Sequence, residues 1–102
     1  MTDSFVIRSD RGTVTVAPGV LSQVVVQSAE SVEGARVRRP RRGLEVEVEG
    51  SAVNVSVEVA VRFGLVLPDV GREVQERVGE ALGSVCGLET RSVDVSVEEL
   101  DV

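Results

Sequence analysis

Histidine, lysine, tryptophan and tyrosine are all missing from this chain of 102 residues, and cysteine occurs once. Without His there is no side chain whose ordinary pKa places proton transfer near neutral pH. Without Lys there is no amine nucleophile. One cysteine forms no internal disulfide, so a reducing compartment is compatible and an oxidising one is not required. Alone, it also falls short of the Cys and His ligands a zinc site needs. No apolar run approaches the roughly 20 residues that span a bilayer. The start, MTDSFVIRSD, lacks the basic and apolar regions of a signal peptide. These absences predict a soluble cytoplasmic protein that is not an enzyme, inserts in no membrane and carries no cofactor or metal.

The net charge of -6 argues against nucleic-acid or anionic-membrane binding by bulk charge. All 11 basic residues are Arg, which a genome rich in Arg, Val, Gly and Ala codons explains without any recognition chemistry. Aromatic residues make up 2% of the chain, so the core must be aliphatic and mostly Val. Valine is stiff at χ1 and suits strands.

The most informative stretch runs from Val53 to Val78. Val53, Val55, Val57, Val59 and Val61 alternate with Asn54, Ser56, Glu58, Ala60 and Arg62, the period of a strand with one buried face. Past Phe63-Gly64 the apolar positions become Val66, Val70, Val74, Val78, Ala81, Leu82 and Val85, a helical stripe. This helix is expected from Pro68 to a stop at Gly87.

The rest of the chain divides by the same periods and breakers. Residues 1–11 read as a polar tail, and residues 12–102 as one domain, large enough for its own core. Gly12 to Val16 is a first strand. Pro18 to Val32 is a helix, with Leu21, Val24, Val25, Ala29 and Val32 inward and Gly34 as its left-handed end. Its weak point is Val24-Val25-Val26, which suits a strand equally well. Ala35 to Arg38 is a short strand, and Arg39 to Gly43 a turn. Leu44 to Glu49 alternates, and Gly50-Ser51 turns into the long strand. Glu89 to Val97 closes the chain. The order β-α-β-β-β-α-β, with strands wet on one face, predicts an α+β two-layer sandwich: a mostly antiparallel sheet with both helices on one face.

Four features bear on chemistry. Cys86, at the end of the second helix, reads as a buried, inert thiol. Gly71, Gly79 and Gly83 lie inside that helix rather than in a strand-loop-helix phosphate cradle. They fall along one side as a smooth strip, which is either tolerated through genomic drift or lets another helix or chain approach closely. Glu45, Glu47 and Glu49 share one side of a strand as a solvated face. Arg36, Arg38, Arg39, Arg41 and Arg42 hold five of the 11 positive charges. That cluster is either balanced within the chain by Glu45, Glu47 and Glu49 beside it, or forms a patch for an acidic partner, a phosphate-rich ligand or nucleic acid. No aromatic interleaves it, which speaks against stacking on single strands. Opposite charges on separate patches predict a weak, salt-sensitive homo-oligomer, with Arg38, Arg39, Arg41 and Arg42 of one chain near an acidic surface of another.

The stretch VRFGLVLPDVGREVQERV, residues 61–78, resembles the central signature of the bacterial alkaline-shock and general-stress protein family, also called envelope stress response proteins. GTVTVAPGVL at 12–21, VEGA at 32–35, GLE at 87–89 and VDVSV at 93–97 resemble its other segments in order. Phe63, Cys86 and Asp94 stand where the family often has Tyr, Thr and Asn, and the charged tails common in members are short here. The resemblance implies a small, non-enzymatic, self-associating protein linked to envelope homeostasis under stress. It also implies a membrane-anchored partner protein, which holds some relatives at the inner face of the cell membrane. It supplies no catalytic residues. An anionic-ligand or nucleic-acid-binding module built on Arg36 to Arg42 is the alternative.

Overall fold

The computed structural model describes residues 5–17, 19–38 and 44–101. The elements are β1 (Phe5–Ser9), β2 (Gly12–Val16), α1 (Val20–Glu30), β3 (Ala35–Val37), β4 (Glu45–Glu49), β5 (Ala52–Arg62), α2 (Leu67–Cys86) and β6 (Glu89–Asp101). The expected α+β architecture holds, with β1 in addition. Part of the segment read as a polar tail forms that strand and pairs antiparallel with β2 in a separate two-stranded sheet.

The main sheet is organised around β5. The strands β3 and β4 pair antiparallel with the same edge of β5, end to end: β3 against Val59 to Val61, β4 against Ala52 to Ser56. On the other edge β6 runs parallel to β5 through 11 residue pairs. Parallel neighbours need a crossover, and α2 supplies it. Among the described residues three of the four strand pairings are antiparallel.

The period-two pattern of β5 has its expected result. Val53, Val55, Val57, Val59 and Val61 are buried on the face that both helices cover. Burying a Val side chain contributes about 1.5–3 kcal/mol, so this strand carries much of the core. From α1 come Leu21, Val25, Val26 and Ala29, with Val24 partly buried, and Val32 follows the helix. The ambiguous Val24-Val25-Val26 run is helical because helix spacing turns two of the three into the core. From α2 come Val70, Val74, Val78, Leu82 and Cys86. Their spacing of four leaves Val85 off the stripe and 69% exposed, contrary to its expected inward position.

The two helix ends differ. Gly87 (φ 71) closes α2: its N–H donates to Gly83 O, and Leu88 N–H donates to Leu82 O. That paired geometry calls for a residue free to adopt positive φ. By contrast, α1 ends at Ser31 in right-handed geometry. Gly34 (φ 88) serves the turn into β3 instead of capping the helix. A side chain there would run into Leu65 of the β5–α2 hinge, so the glycine allows the two turns to pack.

Candidate interaction surfaces

The outer face of the main sheet carries its charges. Arg36 on β3 meets Asp101 on β6 at 2.9 Å. Arg38 lies 3.9 Å from Glu58 on β5 and 3.6 Å from Glu98 on β6. Among the described residues, Arg36 and Arg38 are thus balanced within the chain, though not by the carboxylates expected. Glu45, Glu47 and Glu49 face Ser56, Asn54 and Ala52, because β4 lies beyond the end of β3 on one shared edge, not beside it. Glu49 pairs instead with Arg91 at 3.2 Å, and Arg62 with Glu33 at 3.3 Å. Arg39, Arg41 and Arg42 lie outside the described residues.

Glu45 and Glu47 border a shallow depression of about 260 Å³ with Asn54, Ser92 and Asp94. Ser92 Oγ donates to Asn54 Oδ1 at 2.9 Å on its floor. Among the described residues no group of three or more acidic or cysteine side chains is placed to hold a metal ion. Cys86 is buried, and burial pushes its thiol pKa up, which disfavours the nucleophilic thiolate.

The glycine strip of α2 faces open space. A side chain at Gly71 or Gly79 would meet nothing nearby, and one at Gly83 only the carbonyl of Leu88 at ordinary contact distance. No close approach among the described residues requires these glycines.

Sequence reasoning missed two apolar surfaces. At the β5–α2 hinge Phe63 is 67% and Val66 60% exposed, with Leu67 and Leu100 close to 40%. Phe63 N–H donates to Asp101 O, which ties this hinge to the end of β6. At the opposite end of α2 a cavity of about 500 Å³ is lined by Val6 and Ile7 of β1 together with Val85 and Leu88. The period break at Phe63-Gly64 marks the first surface in the sequence. Nothing in the sequence placed β1 beside Val85. No helix among the described residues is long and apolar enough to cross a membrane.

The described residues thus form a two-layer α+β domain with ionic pairs on its open sheet face and exposed apolar side chains at its ends. Residues 35–102 match the alkaline shock protein 23 family, described as having cell envelope-related function, and the chain belongs to it. Among curated proteins no match is found. Solved structures of the MamM CTD share the fold. Its zinc form has 21% identity and a TM-score of 0.55, covering 80% of this chain and 85% of that one. Its cadmium form has 22% identity and a TM-score of 0.53, covering 79% and 95%. Its copper form has 23% identity and a TM-score of 0.51, covering 78% and 92%.

Proposed function

We propose that this protein is a non-enzymatic, self-associating interaction module of the cell envelope stress response, cytoplasmic and held near the inner face of the membrane by a partner protein. The observation that carries the self-association is the pair of exposed apolar surfaces: Phe63, Val66, Leu67 and Leu100 at one end of α2, and Val6, Ile7 and Val85 at the other. Exposed apolar groups gathered into patches mark interaction sites more often than the same groups scattered singly. Family membership supports the envelope role.

Sedimentation velocity across a range of concentrations, at low and high salt, tests this reading. The parent should self-associate, and Phe63→Ser with Val66→Ser should shift it toward monomer. A parent that stays monomeric at every concentration overturns the proposal. Salt discriminates the mode: contacts through the apolar ends persist at high salt, whereas contacts through the arginine cluster weaken.

A further inference from the structure

The strand β6 is the longest in the protein, 13 residues, and pairs on one side only among the described residues. Its backbone orientation can be followed along the chain. Glu89 N–H donates to Ser51 O, and Asp101 O accepts from Phe63 N–H, so both ends face β5. Val93 faces the other way, because its carbonyl accepts from Gln75 Nε2 at 2.9 Å. Backbone groups alternate in direction along a strand. Val95 and Val97 therefore also present N–H and C=O to the open edge. The register slips by one residue at Glu98, which makes Leu100 the next outward position. The side chain of Gln75 caps one carbonyl of this edge, and Val95, Val97 and Leu100 follow without such a cap among the described residues.

Charge narrows what fits there. Side chains alternate too: Val95, Val97 and Leu100 lie on the helix side, while Asp94 and Glu99 lie on the outer face and hold no ion pair among the described residues. Glu98 and Asp101 add acid on the same outer face, shared with Arg38 and Arg36. A second copy of β6 on this edge would set acid against acid, which is destabilising between neighbouring strands. We propose that the open edge of β6 accepts an extended, basic segment of a partner protein as an added strand, apolar side chains beside Val97 and Leu100 and basic ones beside Asp94 and Glu99. Strand addition takes its affinity from main-chain hydrogen bonds and its specificity from alternate side chains. The inference rests on the interaction-module reading and names the chemistry of one partner.

The probe is a short synthetic peptide alternating valine and arginine, titrated into isotope-labelled full-length protein below its self-association concentration. Amide signals of Val95, Val97 and Leu100 should shift and exchange more slowly. Asp94→Lys with Glu99→Lys should weaken binding roughly tenfold through two lost exposed ion pairs and added repulsion. A peptide of unchanged charge, methylated on the backbone nitrogens of one edge, should lose binding when that edge faces β6. No binding, equal binding by the methylated peptide, or shifts confined to other strands overturns the proposal. Concentration-dependent protection of the Val95 and Val97 amides without peptide also overturns it, because a second copy then fills the edge. Sedimentation of the free protein reports separately on self-association, so failure of one reading is distinguishable from failure of the other.

Discussion

Arg36 and Asp101, 65 residues apart, meet at 2.9 Å across the outer face of β5 and join its two flanking strands. Their side chains are 59% and 37% exposed, so solvent screens the pair. An exposed ion pair contributes about 0.2–1 kcal/mol. Arg36→Ser should therefore lower stability by no more than about 1 kcal/mol, and the loss should vanish at high salt. Chemical denaturation of parent, both single variants and Arg36→Ser with Asp101→Asn gives the coupling energy. A coupling well above this range, or one indifferent to salt, would show that the pair locks the sheet more firmly than its exposure allows.

Val57 sits in the middle of β5 at 1% exposure, with buried Val55 and Val59 on either side of it along the same face. Val57→Asp would put a carboxyl where no hydrogen-bonding partner waits, at a cost of several kcal/mol. Domains of this kind have only about 5–15 kcal/mol in total. The variant should be largely unfolded or melt far below the parent. Melting within about a degree of the parent would mean that the inward face of β5 is misassigned.

Cys86 is buried at the last turn of α2, and burial raises its thiol pKa above the ordinary value of about 8.5. The folded state thus holds the proton more tightly than the unfolded one. The sign follows: this contribution is whole below the ordinary thiol range and is lost as pH rises through it toward the folded value. A thiol reagent should label the native protein slowly near neutral pH and the denatured protein quickly. Cys86→Ala should flatten the alkaline part of the stability profile. Fast native labelling, with loss of assembly in step, would identify a regulatory cysteine instead of a packing one.

How far the sequence could be read depends on how local each feature is. The strand β5 and helix α2 were legible because each has one unbroken period, and the switch between periods falls at Phe63-Gly64. The strand β1 was not, since five residues with Arg8 among them give too short a pattern. The far end of β6 was hidden by its own irregularity: the slip at Glu98 breaks the alternation, so the apolar pattern stops at Val97 while the strand continues to Asp101. The arginine cluster is legible in the sequence, but the partners of Arg36 and Arg38 are not. Adjacency in sequence suggested Glu45, Glu47 and Glu49, whereas end-to-end placement of β3 and β4 brings Glu58, Glu98 and Asp101 to Arg36 and Arg38. The open edge of β6 depends on a parallel pairing through a crossover helix, which no local pattern encodes.

Gly71, Gly79 and Gly83 provide a last test, of whether α2 is itself a contact surface. Glycine inside a helix costs roughly 0.5–1 kcal/mol relative to alanine, and no contact among the described residues compensates that cost. Side chains at Gly71 and Gly79 would meet open space, and the carbonyl of Leu88 lies 3.8 Å from where one at Gly83 would start. Replacing all three with Ala should stabilise the protein by about 1.5–3 kcal/mol, raising Tm by several degrees. If copies associate through the apolar ends, their sedimentation should be unchanged. A triple variant that is more stable yet monomeric would place the contact on the helix strip, where added methyl groups hold a second chain away. A variant no more stable than the parent would mean that the strip is already packed against something in the native protein.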